Sequence, residues 1–322
     1  VNLRFLKKLG PFLALILMGA VLAFLSPHFL TFDNLTNVFR QSAINALLAL
    51  GQLMVIVTAG IDLSVGSIMG ICCVVFALLL KQDLPGFVAL GATLLLGLGL
   101  GWVNGFLLTA LKLPHPFIST LGMMNVARGA ALIISGGFPI SGLPDGARVL
   151  GAGVAGSIPV PILVVLLVYL AFHGFLTRTV IGRDIYAIGG NQEAARLSGI
   201  PVARRLNLVY TLSGVLAGLA AVILAGRMNS GFPLAGSGAE LDSIAAVIIG
   251  GASFFGGIGS VWGTLTGALI MGVLRNGLNL LNVSSFWQTV VIGIVIVVAV
   301  WIDVLRQRVL KGKPLAAGAE AA

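Results

Sequence analysis

The stretch "GFVALGATLLLGLGLGWVNGFLLTAL", Gly86 to Leu111, contains no Asp, Glu, Lys or Arg. A helix of about 20 apolar residues crosses the hydrocarbon core of a bilayer. Inside hydrocarbon each backbone N–H and C=O needs an internal partner, so a continuous apolar run of this length is read as a spanning helix. Barrel strands would alternate with period two, and this run does not. Runs of similar character recur along the chain, at 10–26, 43–60, 63–80, 116–135, 159–176, 206–226, 241–256, 260–278 and 286–303. The fold expected is therefore all-α and polytopic, with about ten transmembrane helices. Pro114 and Pro116 introduce the fifth span, and Pro159 and Pro161 the sixth, where proline is best tolerated. The 136–158 connection is rich in Gly, Pro and Ser and is expected to be an irregular loop.

Composition agrees. The 322 residues are 58% hydrophobic and 9% charged, with a net charge of +9. In a soluble protein such a balance would suggest nucleic acid. Here the positive-inside rule accounts for it, and no nucleic-acid partner is expected. With ten spans both termini share one side. Arg4, Lys7, Lys8, Lys112, Arg178, Arg183, Arg196, Arg204, Arg205, Arg306, Arg308, Lys311 and Lys313 fall there. Only Arg40, Lys81, Arg148 and Arg227 fall opposite. That imbalance places both termini and the 177–205 loop in the cytoplasm. The apolar N-terminal run follows basic residues like a signal peptide but lacks a small-residue cleavage site, so it is read as a retained first helix. Residues 1–303 are expected to form one membrane domain, and 304–322 a disordered cytoplasmic tail.

Small and polar residues carry the finer reading. Gly97, Gly101 and Gly105 recur every four residues and mark a helix-packing face. "IIGGASFFGGIGSVWG", Ile248 to Gly263, has glycines dense enough to interrupt a helix. It is either a re-entrant, pathway-lining segment or a tight interhelical turn. "IDLSVGSIMG" from Ile61 and "LDSIAAVIIGG" from Leu241 echo each other, as do two Trp- and Gly-bearing stretches at Gly101 and Ser260. An offset of five spans would make spans 2–5 and 7–10 an inverted repeat. Asp62 is expected to cap span 3, or to serve a gate, and Asp242 to cap span 8. Arg128 lies mid-span, so it is expected to face the bundle interior or contact substrate. Arg275, near a span end, is expected to reach the interface. Asn45, Gln52, Asn104, Asn125, Asn276 and Gln288 are candidates for an aqueous path, with interhelical hydrogen bonding as the plainer role.

Cys72 and Cys73 lie in an apolar run and are read as buried thiols, not as a disulfide framework or metal site. No Walker A, HExxH, CxxC or GxSxG pattern occurs, so no catalytic or metal site and no cofactor is expected on this chain. Asp62, Asp242 and Asp303 all lie near span ends. That scarcity of deep acids weighs against an ion-coupled secondary carrier, which stays open as the alternative.

One polar stretch breaks the pattern, "GGNQEAARLSGIPV", Gly189 to Val202. Its core should be a short helix, with Asn191 as cap and Gly199 as stop. Too short to be stable alone, it should be held by docking, with Leu197 and Ile200 as apolar anchors. "EAARLSG", Glu193 to Gly199, resembles the E-A-A-x-x-x-G loop of bacterial ABC importer permeases. The blocks 58–67, 182–200, 235–251 and 276–285 are similar, in order, to ribose-type sugar permeases; the Lys81–Gly86 connection and the 136–158 loop depart from them. The resemblance implies the membrane subunit of an ATP-driven monosaccharide importer in the bacterial inner membrane. Glu193, Ala194, Ala195, Arg196 and Gly199 would couple it to an ATP-binding subunit, which would carry ATP and magnesium. A periplasmic or lipid-anchored sugar-binding protein and a second permease copy, identical or related, complete the implied set of partners.

Overall fold

The computed structural model describes residues 3–111 and 113–310. The chain is an all-α polytopic membrane protein. In chain order come α1 (Leu3–Leu25), α2 (Phe32–Val57), α3 (Val65–Lys81), α4 (Gly86–Ala110) and α5 (Pro116–Ser135). A short pair β1 (Ile140–Ser141), the one-turn α6 (Val149–Ala152) and the hairpin β2 (Val154–Ala155)–β3 (Ile158–Pro159) follow, then α7 (Val160–Arg178). Next are α8 (Val180–Gly190), α9 (Gln192–Leu197), α10 (Val202–Met228), β4 (Ser230–Gly231), α11 (Ala239–Ile249), α12 (Val261–Leu280) and α13 (Ser285–Leu310). Among the described residues, α2, α4, α5, α7, α10 and α13 are long and apolar enough to cross a membrane.

Two expectations change. The eighth span, expected at 241–256, is a helix of 11 residues that stops at Ile249. Its continuation, 250–260, is a series of turns, with Gly251, Gly256 and Gly257 at positive φ, a conformation that ends a helix and that glycine adopts without strain. The last helix runs through 304–310, residues expected to be tail, since "VLRQRVL" has helix-forming composition and only then do small residues take over. The expected tail from 311 onward lies outside the described residues. The 136–158 connection is more ordered than expected. Strand β1 pairs with β4, and α6 packs on the end of α10, where a Cβ at Gly151 would overlap the Ile223 carbonyl oxygen.

The core is organised around α2 and α10, which pack on each other. Helix α3 packs on α10 as α11 packs on α2, and α4 packs on α10 as α12 packs on α2. Likewise α3 meets α4 and α5 as α11 meets α12 and α13. Exchanging the unit α2–α5 with the unit α10–α13 leaves this pattern unchanged, which is the packing expected of a two-unit repeat. The glycine face of α4 works as its spacing implies. A Cβ at Gly97 or Gly101 would overlap the backbone of α10 at Gly214 or Tyr210, so the two helices touch main chain to main chain.

Polar side chains tie the outer parts of this core. Arg275 Nη2 lies 2.6 Å from Asp242 Oδ2, joining α12 to the first turn of α11. This corrects two expectations. Asp242 is an ion-pair partner rather than a helix cap, and Arg275 turns inward instead of reaching the interface, because a carboxylate one helix away offers it a better partner than solvent. Arg275→Ala should cost about 1–2 kcal/mol, below the figure for a fully buried pair because the arginine is partly exposed. A thermal melt of the purified variant checks it, and an unchanged melt would mean the pair contributes nothing.

Candidate functional site

Helix α9 starts at Asn191, whose Oδ1 accepts from the Ala194 amide at 2.9 Å. It stops at Gly199, where φ is +84°, a backbone conformation glycine adopts without strain. The Ile200 amide donates to the Ala195 carbonyl at 3.1 Å and closes the turn. Both cap and stop are as the sequence implies. Arg196 Nη2 pairs with Glu193 Oε1 at 2.6 Å, one turn apart on the exposed face. That hydrogen bond holds the Glu193 carboxyl below the usual carboxylate range. Leu197 is 74% exposed and Ala195 only 5% exposed. So Ala194 and Leu197 face outward, whereas Ala195 packs on its own chain. The two alanines, adjacent in sequence, are about 100° apart on the helix and have different surroundings.

Helix α8 anchors α9 to the membrane helices. Asp184 and Arg205 pair at 2.8 Å and tie α8 to α10. Tyr186 donates its hydroxyl proton to the Gly259 carbonyl at 3.0 Å. A Cβ at Gly189 would overlap the Val57 carbonyl oxygen and lie 2.5 Å from the Gly257 amide nitrogen. That amide in turn donates to Val57 O at 2.9 Å. Four segments therefore meet at one point: α8, the end of α2, the stretch 58–60 that follows it, and 256–259 between α11 and α12.

Above this junction lies a buried polar cluster. Asp62 Oδ1 accepts from the Ser64 amide at 2.9 Å and from its hydroxyl at 2.6 Å. Asp62 Oδ2 accepts from Ser213 of α10 at 3.0 Å. Ser213 is eleven residues into α10, about 16 Å from its start, so the Asp62 carboxylate lies deeper than the span end where the sequence placed it. Asn104 of α4 donates to the Ser64 hydroxyl at 2.7 Å. The Gln52 carboxamide, in the orientation that satisfies both its atoms, pairs with the backbone N–H and C=O of Asp62 at 3.2 and 3.1 Å. Asp62 thus serves the start of α3, as a cap would, and also pins α3 to α10.

Of the other expected residues, Asn276 exchanges hydrogen bonds with Asn34 at 3.0 and 2.7 Å, at the far end of α2 and α12. Gln288 bonds Asn279 and the Val283 carbonyl. Asn45 sits on α2 away from the cluster. Arg128 faces protein, as expected, donating from Nη1 to the Pro233 and Ala235 carbonyls at 2.7 and 2.9 Å. Asn125, one turn before it, is exposed and bonds only its own helix, at the Leu121 carbonyl. The structure thus unites Asp62, Gln52 and Asn104 but leaves Asn45, Asn125, Arg128 and Asn276 elsewhere. Ser64 and Ser213 were missed, since a lone serine in an apolar run carries no signal of its distant partner. A cleft of about 1070 Å³ opens beside α9, between the end of α4 and the start of α10, with Thr58, Gly60 and Tyr210 at its base.

Residues 34–300 match the family described as branched-chain amino acid transport system, permease component. The chain belongs to this permease family. Among curated relatives, the ribose import permease protein RbsC of Bacillus subtilis is 45% identical over 92% of this chain and 93% of its own. The D-allose transport system permease protein AlsC of Escherichia coli is 42% identical over 93% and 92%. The galactose/methyl galactoside import permease protein MglC of Salmonella typhimurium is 36% identical over 94% and 96%. No solved structure matches. As a permease component the chain is a transport subunit rather than an enzyme. Among the described residues no cluster of His, Cys, Asp or Glu could hold a metal ion.

Proposed function

We propose that this permease component is the membrane subunit of an ATP-driven importer for a monosaccharide, ribose or a related sugar. The support for the sugar is that relatives named for ribose, D-allose and galactose match along nearly the whole chain. The observation that carries the coupling is α9, a capped six-residue helix with an outward Leu197 and an exposed ion pair, fixed through α8 to the end of α2. A helix this short is marginal without packing partners, and its own chain covers one face, that of Ala195. A separate ATP-binding subunit, carrying ATP and magnesium, supplies the other. Residues 177–205 are then the coupling loop, and the loop and both termini face the cytoplasm. Sugar arrives outside on a binding protein, and two permease copies enclose the route.

In this reading Glu193, Ala194, Arg196 and Leu197 present the docking face, while Ala195 seats the helix on its own subunit. Closure of the nucleotide subunits displaces α9. The displacement passes through Tyr186 and Gly189 to Val57 and the 256–259 turn. Asp62 and its partners, just above, hold the inward gate until that displacement arrives.

Uptake of labelled ribose into proteoliposomes, with the ATPase and binding protein present or absent, tests the proposal. Entry that requires both partners and ATP is expected. Entry that proceeds without the ATPase and follows an imposed ion gradient would replace it with a secondary carrier. Gly199→Asp adds a narrower check. Aspartate tolerates the positive φ at 199 better than most side chains, so the strain should be about 1 kcal/mol, and its negative charge at the helix C-terminus adds to it and should loosen the end of α9. Co-purification of the ATPase should fall while membrane insertion persists. Normal assembly and transport would remove α9 from the coupling route.

A further inference from the structure

Two arginines meet on the seam between α2 and α10. The seam is tightest at Gly51, where a Cβ would lie 3.0 Å from the Ser213 Cα. Arg40 precedes Gly51 by eleven residues, about three whole turns, so it lies on the same face of α2, about 16 Å further from α9. Arg227 follows Ser213 by fourteen residues, about four turns, so it lies on the same face of α10, about 21 Å along. The two helices run in opposite directions. Both arginines therefore stand beyond the contact, at the end remote from α9. They are close enough for the charge of Arg40 to act on that of Arg227, and both are partly buried.

Among the described residues no carboxylate lies within ion-pair distance of either guanidinium. Arg40 Nε is buried and has no hydrogen-bond partner. The acids at this end of the molecule are turned elsewhere. Asp145 takes Arg148 at 3.2 Å, and Asp33 is exposed at the start of α2. Two like charges drawn partly out of water need a counter-charge. Their height says where it comes from. Arg40 stands seventeen residues from Val57, about 26 Å above the α9 end of α2. The hydrocarbon core is about 30 Å thick, so the pair lies where hydrocarbon gives way to headgroups. An apolar surface adjoins it. Helix α7 lies along α2, with the Tyr169 hydroxyl donating to the Ala46 carbonyl at 2.8 Å. Leu166, Leu167 and Leu170 on the other side of α7 are exposed.

We propose that Arg40 and Arg227 bind the phosphate of an anionic phospholipid in the leaflet opposite α9, which is the outer leaflet under the proposed topology. Each guanidinium presents a planar fork of N–H donors that matches phosphate oxygens, and one phosphate can take a fork from each side. Its acyl chains then lie along the exposed leucines of α7. A free anion would satisfy the charge but leave that apolar surface bare. A soluble partner would have to push carboxylates into the boundary of the bilayer, where phosphates already stand. The bound phosphate ties α2 to α10, the opening helices of the two units, at the end where their own charges drive them apart. The inference holds whatever solute the permease carries.

The test uses the full chain in phosphatidylcholine nanodiscs that contain a small fraction of phosphatidylglycerol with a photoreactive group beside its headgroup. After illumination the labelled peptides are mapped. Label is expected on 36–46 and on 221–228. Arg40→Gln and Arg227→Gln, made singly, should each lower that label by at least about fivefold, since a cation at the membrane surface contributes about that factor to the binding of an anionic lipid. Lys81→Gln, another cation of the same end, should leave it unchanged. Label on the basic 178–205 segment reports that each variant is folded and inserted. Without phosphatidylglycerol neither variant should melt below the native protein, because one of two repelling charges is gone; a merely structural arginine would lower the melt. Two variants are read, so misfolding of one leaves the other informative. Undiminished label in both variants overturns the site. Loss of the label on adding inorganic phosphate overturns the lipid as its occupant in favour of a free anion. Variants that keep the label but no longer capture the sugar-binding protein overturn the lipid site and give the arginines to that partner.

Discussion

Gly189→Val should cut ATP-driven uptake by about tenfold or more, whereas Gly190→Val, one residue on, should leave it near the native rate. The contrast is steric. A Cβ at Gly189 would overlap the Val57 carbonyl and crowd the Gly257 amide, while a Cβ at Gly190 would meet nothing within 4 Å. Overpacking of this kind costs about 1–3 kcal/mol. Backbone on both sides cannot rotate away as a side chain can, so the top of that range applies. Each 1.36 kcal/mol is about tenfold in rate or population. The pair of substitutions separates geometry from composition, since both add the same isopropyl group to the same helix. Uptake measured side by side decides. Native transport by Gly189→Val would show that the contact with Val57 carries no motion.

Asp62→Ala should destabilise the buried core strongly for a change of one polar side chain. It removes the acceptor of three hydrogen bonds, from the Ser64 amide, the Ser64 hydroxyl and the Ser213 hydroxyl. Each buried donor left without a partner costs about 1–3 kcal/mol. Hydroxyls can turn to other acceptors, so the sum should stay near the low end, about 3 kcal/mol. Asp62→Asn keeps an acceptor for the Ser64 groups and should lose less than half as much. Thermal melts of the two variants in the same detergent give the order. If Asp62→Ala melts with the native protein, the cluster holds nothing together. If Asn and Ala are equally damaging, the negative charge matters rather than the hydrogen bonds.

The membrane class, most spans and α9 were legible because each rests on local pattern. Uncharged runs, the four-residue glycine spacing on α4, and the Asn191 and Gly199 signals all act within one turn or one helix. What escaped depends on distant partners. Ser213 lies 151 residues from Asp62, and nothing near either residue names the other. The glycines from Gly250 onward signalled an interruption, and α11 stops at Ile249, but the even hydropathy of Leu241 to Gly256 set the expected end of that span too late. The descent of 229–238 along α3, from Gly231 beside Cys73 to Gly236 beside Gly66, was hidden because Gly, Phe and Pro suit a surface loop as well as a membrane-depth one. For Ala194 and Ala195 the motif supplied the residues but not the direction each one faces.

The four-way meeting at Gly189 constrains how the protein can move. Val57 closes the opening helix of one unit, and Gly257 belongs to the turn inside the other. One glycine touches both, and the two touch each other. Under the proposed coupling, a push arriving through α9 would reach both units through one contact, the Gly189 backbone.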